Sequence, residues 1–202
     1  MELYWKGIIA YYILRQRGVD VDSLPRDVVV KEQDWSTMWT ELHWVEGPWP
    51  GKLALAARPR GGDWLKDELA AWKKAEINTV LSLLTPEEDQ DLDLSDEATE
   101  AKAQGLGFSS FPIPDRQVPK SEAKLAEALE KVGGALSNGK NVVVHCRQGI
   151  GRSGLVAACL LVRNGMSPGA AVEAVSAARG APVPETPEQR DWIDHYAAAF
   201  TK

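Results

Sequence analysis

The chain has 202 residues, 44% of them hydrophobic, and a formal charge of -6, enough for one well-covered α/β domain and too few for two ordinary ones. Its pI near 5.2 argues against general nucleic-acid or anionic-membrane binding, since both need broad positive surfaces. Cys146 and Cys159 are its only cysteines, so there is no disulfide framework, and no Cys/His spacing suggests a zinc or other metal site; a reducing, cytoplasmic setting is expected.

Met1 to Gly18 reads as a short helix, and its apolar stretch Ile8 to Leu14 is too short to span a bilayer and lacks a cleavage site. Val28 to Val30 is expected as a strand and Glu32 to Leu42 as a short helix. Seven of the eight tryptophans lie between Trp5 and Trp72, and the composition changes between residues 45 and 75. This marks residues 1–45 as a Trp-rich extension, with a packing or partner role left open, and 46–202 as the catalytic domain.

After the turn cluster Pro48-Trp49-Pro50-Gly51 the pattern becomes regular. Leu53 to Ala57 reads as a strand, Asp63 to Lys74 as a helix with Asp63 at its N-cap, and Val80 to Leu84 as a buried strand. Glu87 to Gln104 is expected as one helix, its acidic clusters forming solvated faces. Phe108 to Ile113 follows as a strand, and Ser121 caps a helix running towards Leu136. Asn138-Gly139 turns into strand Val142 to His145, and the remainder is helical over Ser153 to Asn164, Pro168 to Ala178 and Pro187 to Ala199. The alternation implies an α/β fold with a central, mainly parallel sheet of four to five strands flanked by helices on both faces. Ligands of such sheets sit beyond the carboxyl ends of the strands, and Cys146 occupies such an end.

The segment His145-Cys146-Arg147-Gln148-Gly149-Ile150-Gly151-Arg152-Ser153-Gly154 carries the chemistry. Backbone N–H groups of Arg147, Gln148, Gly149, Ile150 and Gly151 can converge on one anion if the glycines let the chain curl. A helix starting near Gly151 adds its positive dipole end. Arg152 supplies a planar fork for two phosphate oxygens. The same field should favour a thiolate at Cys146, whose attack on phosphorus would give a cysteinyl-phosphate. The Ser153 hydroxyl can hydrogen-bond to the sulfur and help it leave. His145, too close in sequence to act as the acid, is expected to fix the loop backbone and favour the thiolate. Cys159, among Ala157, Ala158 and Leu160, reads as a packed core thiol.

This segment resembles the signature loop of the protein tyrosine and dual-specificity phosphatase superfamily, and the similarity extends in element order over roughly residues 45 to 200. The resemblance implies an acid on an upstream loop to protonate the leaving group. Phe111-Pro112-Ile113-Pro114-Asp115-Arg116 supplies one, with Asp115 lying 31 residues before Cys146 and Pro112, Pro114 and Pro119 restricting the backbone. Gln189, in Pro187-Glu188-Gln189, stands where several relatives carry a glutamine facing the active site; it either positions the hydrolytic water or is a polar residue of a first helical turn.

The expected function is cofactor-free, metal-independent hydrolysis of phosphotyrosine, with phosphoserine or phosphothreonine as further substrates, on a phosphorylated protein or peptide partner. Relatives acting on phosphoinositides carry lysines in the loop, where this chain has Gln148 and Ile150, so a phosphoinositide or inositol phosphate is the alternative substrate. From other classes, a phosphate-binding module with vestigial activity would not need Asp115, and sulfur transfer or arsenate reduction would need neither Asp115 nor Ser153. Arg58, Arg60 and Arg116 either contact an anionic substrate or are solvated. Oligomeric state is left open.

Overall fold

The computed structural model describes residues 40–200, except for the Phe200 side chain. The helix expected from Met1, the strand at Val28 and most of the helix expected from Glu32 lie outside the described residues.

Among the described residues, five strands form one mixed sheet: β1 (His43–Val45), β2 (Leu53–Ala57), β3 (Ile77–Ser82), β4 (Gly107–Ser110) and β5 (Asn141–Cys146). Their order is β1-β2-β5-β3-β4, with β1 antiparallel at one edge and the other pairings parallel. The sheet therefore begins on the N-terminal side of the 45/46 boundary suggested by composition. The helices are α1 (Leu65–Lys74), α2 (Pro86–Asp91), α3 (Glu97–Ala103), α4 (Glu122–Ser137), α5 (Gly151–Arg163), α6 (Pro168–Arg179) and α7 (Pro187–Phe200). Among the described residues no helix is long and apolar enough to cross a membrane.

The central strands are apolar on both faces because helices cover both. Leu53, Leu55, Leu81, Val142, Val144 and Cys146 pack with α4, α5, α6 and α7. Ala54, Ala56, Val80 and Val143 face the opposite way, onto Leu69 and Trp72 of α1 and Ala101 of α3. Strand alternation therefore sends Cys146 to one side of β5 and His145 to the other. The register ends level: Ala57 of β2 pairs with Cys146, and Ser82 of β3 pairs with His145. Three strand ends thus open onto one rim, with the sulfur in its middle.

Two expected helices differ from those observed. Asp63 does not cap α1; it lies in a 3₁₀ turn over Gly62–Trp64, and the helix starts at Leu65 with no side-chain cap. Gly62, at φ 58°, donates its amide to Asp93 O at 2.9 Å, which fixes that turn against the next segment. The stretch expected as one helix from Glu87 to Gln104 is two. Asp93 takes a left-handed φ of 54°, and the break lets Leu94 and Glu97 both turn inward to near-complete burial. A continuous helix could not send Glu88, Leu94 and Glu97 to their three separate buried partners. The strands expected over Val80 to Leu84 and Phe108 to Ile113 run over Ile77–Ser82 and Gly107–Ser110, while Ser121 Oγ accepts from Lys124 N and Gly180 closes α6 in the left-handed conformation, as their sequence signals imply.

Leu55 is fully buried between β1, β5 and the α4–α7 layer. Leu55→Ala is expected to lower the unfolding free energy by about 2–5 kcal/mol, whereas Lys66→Ala on the exposed side of α1 should stay within about 0.5 kcal/mol; urea denaturation of both variants checks this.

Candidate active site

The chain leaves β5 at Cys146, turns through Arg147 to Ile150 and enters α5 at Gly151. Gly149 allows the turn: its φ is 70°, and a Cβ there would lie 2.5 Å from the Ala56 carbonyl. The other loop glycine serves differently. Gly151 is not in the left-handed region, and a Cβ on it would meet Gln189 Oε1 at 3.0 Å and Glu185 Cβ at 3.1 Å. Its bare backbone admits the segment before α7. The resulting curl brings Gly149 N to 3.3 Å from Cys146 Sγ, and Ser153 Oγ to 3.4 Å on the same sulfur. Both the thiol and the hydroxyl are buried. The loop is held from behind by Arg179 of α6, which donates to Gly149 O at 2.9 Å and Gln148 O at 3.2 Å.

Arg152 is almost fully buried in the first turn of α5. Its guanidinium forms a bidentate pair with Glu88 of α2, at 2.6 and 2.9 Å. It also donates to Ile113 O at 2.9 Å and to Asp115 Oδ1 at 2.8 Å. Arg152 Nε–H is buried and has no acceptor among the described residues, which leaves it for an anion seated over the loop. Burial works to raise the Glu88 carboxyl, but the hydrogen bonds from Arg152 and Thr85 and the charges of Arg152 and Arg147 outweigh it and hold the group below its ordinary value. Burial likewise opposes the Arg152 charge, and Glu88, Cys146 and Asp115 together outweigh it.

A thiol at a strand end, an amide-lined turn, a buried arginine and a carboxylate delivered from a proline-rich loop thus meet in one place. The family model described as a polymorphic toxin system DSP-PTPase phosphatase matches residues 54–166, more than half of the chain. The chain belongs to this DSP-PTPase family.

The superfamily resemblance seen in the sequence is that of this DSP-PTPase group. Cyclin-dependent kinase inhibitor 3 of Rattus norvegicus is 33% identical over 94 residues, covering 46% of this chain and 44% of that protein. The chain thus spans less than half the length of the curated relatives it matches. The structure of a kinase associated phosphatase with its catalytic-site cysteine replaced by serine shares the fold, with TM-score 0.74 and 22% identity over 80% of this chain and 96% of that one. Tk-PTP in its active form gives TM-score 0.65 and 26% identity over 78% and 96%.

Of the residues expected at the site of this DSP-PTPase chain, Ser153 and the Gly149 amide meet Cys146 and Asp115 meets Arg152, whereas His145 turns to the other face of the sheet and Gln189 lies against the loop at Gly151 with its amide engaged by backbone. The His145 ring lies on the opposite face of the sheet, fully buried, 5.8 Å from the Trp72 ring. Its Nε2 is 3.0 Å from Glu97 Oε1, out of hydrogen-bond alignment. Gln189 is fully buried, and its amide is engaged by backbone: Oε1 accepts from Glu185 N and Thr186 N, and Nε2 donates to Gln117 O. Arg60 pairs with buried Glu68 and lies over the Trp64 ring, and Arg116 pairs with Glu185 at 2.9 Å. The Cys159 thiol is buried, and burial pushes it up.

Three residues of the site were not foreseen. Glu88, expected on a solvated face, is buried against Arg152, and Glu97, in the next acidic run, is buried against His145. The signal for Glu88 was present: Thr85-Pro86-Glu87-Glu88 is a complete capping box, with Thr85 accepting from Glu88 N and Glu88 accepting from Thr85 N. A box of this kind turns its glutamate back over the helix start, towards the strand ends. Arg179 carried no comparable signal.

Replacing Glu88 by Ala leaves a buried guanidinium without its main counter-charge and is expected to cost about 3–5 kcal/mol at neutral pH. Because the folded state holds the Glu88 carboxyl below its unfolded value near 4.5, the pair's contribution is complete above that pH and is lost as pH falls through the lower, folded value. Denaturant titrations of wild type and Glu88→Gln should therefore converge below about pH 4.5; a gap that stays constant from pH 7 to pH 3 would contradict an ionised pair.

Proposed function

We propose that the chain is a phosphomonoesterase of the protein tyrosine and dual-specificity type, working through a cysteinyl-phosphate on a phosphorylated protein or peptide. The observation that carries this reading is that the Gly149 amide and the Ser153 hydroxyl reach the buried Cys146 sulfur while Arg152, one residue before Ser153, holds the Asp115 carboxylate. Gly149 N donates to that sulfur, and the Ser153 hydroxyl lies within hydrogen-bond distance of it. A phosphate seated over the loop would meet the backbone amides, the positive end of α5 and the unpaired Arg152 Nε–H.

The proposed reaction has two displacements. Cys146 Sγ attacks phosphorus while Asp115, in its protonated form, gives its proton to the departing phenolate or alkoxide. The carboxylate so formed takes a proton from water, whose oxygen attacks phosphorus, and the thiolate leaves with the Ser153 hydroxyl as its hydrogen-bond partner. Arg152 follows the equatorial oxygens through both steps, held by Glu88 from the side away from substrate. Arg152, the loop amides and the positive end of α5 would offset the phosphoryl charge with protein groups alone, which supports chemistry that needs no metal.

Phosphotyrosine is the substrate we favour, with phosphoserine and phosphothreonine as further candidates. The loop presents Gln148 and Ile150 rather than lysines, which weighs against phosphoinositides. Both thiols are free, and a nucleophilic thiol works in a reducing compartment, so a cytoplasmic site of action is proposed. Residues 46–202, with β1 just before them, are proposed as the catalytic domain.

Phenyl phosphate should be hydrolysed in the presence of EDTA, with Cys146→Ser inactive but still binding vanadate, and Asp115→Asn reduced about 10²–10⁴-fold. Full activity in Cys146→Ser would sink the reading. Matched phosphotyrosine and phosphothreonine peptides then rank the substrates.

A further inference from the structure

The segment that carries Asp115 is fastened at three points, and only one of them is the phosphate loop. Asp115 Oδ1 accepts from Arg152, as described. The next residue, Arg116, takes a left-handed φ of 59°, costly for a residue with a Cβ. That backbone accompanies a 2.9 Å contact between Arg116 Nη1 and Glu185 Oε1. The residue after it, Gln117, accepts at its carbonyl from Gln189 Nε2 at 3.1 Å. Glu185 and Gln189 belong to the turn that opens α7, and they lie against the phosphate loop at Gly151.

The receiving turn is built before the acid segment reaches it. Gln189 Oε1 accepts from both the Glu185 and Thr186 amides, and Gln189 N donates to Thr186 Oγ1. Both lone pairs of that oxygen are therefore used, and it has none left to accept a proton from water. Its nitrogen faces Gln117 instead. This argues for a role other than the water positioning considered from sequence.

We propose that Glu185 and Gln189 form a dock for the acid segment, acting as positioning residues that hold Asp115 over the phosphate loop through Arg116 and Gln117. The inference rests on the reading of Asp115 as the general acid. The two docking contacts differ in kind. Gln189 is fully buried and fixed, whereas the Arg116 and Glu185 side chains are 65% and 35% exposed. An exposed pair of this sort holds weakly and can reopen, which suits a segment that must admit substrate and release product.

The test uses the full chain and two substrates, phenyl phosphate, whose leaving group needs a proton, and 2,4-dinitrophenyl phosphate, whose leaving group does not. In Glu185→Gln the ratio of kcat/KM on the first to kcat/KM on the second, which reads only the steps through departure of the leaving group, should fall about five-fold, the size expected for an exposed ion pair. In an Asp115→Asn background the same substitution should leave the ratio unchanged, since there is no acid left to position. Arg190→Gln, which breaks an ion pair with Asp194 further along α7, is the control and should not alter the ratio. Hydrogen exchange of residues 113–118 supplies a second measure: Glu185→Gln should accelerate it, and Arg190→Gln should not. An equal fall on both substrates, an additive effect with Asp115→Asn, or unchanged exchange would overturn the dock. If the wild type hydrolyses neither substrate, the phosphatase reading fails, and the exchange result alone still decides for or against the dock.

Discussion

A guanidinium with almost no exposure to solvent is the constraint around which this molecule is organised. Moving such a charge out of water costs several kcal/mol unless acceptors surround it. Arg152 has four sets: the Glu88 carboxylate, the Asp115 carboxylate, and the carbonyls of Ile113 and Leu83. These acceptors come from the end of β3, from α2 and from the acid segment, so one side chain of α5 ties together the pieces that must meet around a phosphate. The two carboxylates are unequal. The Glu88 side chain is 11% exposed and bidentate, whereas that of Asp115 is 50% exposed and holds by one oxygen. Glu88 is the permanent partner and Asp115 the replaceable one.

The sheet explains why the loop sits where it does. The period of two along β5 buries Val142, Val144 and Cys146 on the α4–α7 side and Val143 and His145 on the α1–α3 side. Both cores therefore end at the same strand terminus, one finishing in a sulfur and the other in an imidazole. The rim here is lined with carboxylates as well as cations. Asp89 shows the consequence: burial, then the charge of Glu97, pushes its carboxyl up despite the opposing pull of His145.

Much of this was written locally in the sequence, and what was not depended on long-range partners. The strand before Cys146, the α5 start near Gly151 and the Ser121 cap follow from short-range pattern, and the loop chemistry follows from ten consecutive residues. The acidic stretch from Glu87 to Gln104 misled because its composition favours a solvated helix. Burial of Glu88 and Glu97 is decided by Arg152 and His145, more than forty residues away in sequence, and by the turn at Asp93, which the glycines at 61 and 62 accommodate. The roles of the glycines were partly legible: Gly149 is needed for its backbone angle, whereas Gly151 is needed for the space it leaves to Gln189 and Glu185. Gln189 itself is placed by a second capping box, Thr186-Pro187-Glu188-Gln189, in which Gln189 N donates to Thr186 Oγ1 and Thr186 N to Gln189 Oε1; its further bond to Gln117 O depends on a partner far away in sequence.

A phosphate-like oxyanion belongs over Cys146, inside the amide turn and against the Nε edge of Arg152. A crystal structure of the protein with tungstate measures this directly. The anion is expected within hydrogen-bond reach of the 147–152 amides and of Arg152 Nε, with Glu88 still paired to the guanidinium. Tungstate bound elsewhere, or bound there with Arg152 turned away, would contradict it.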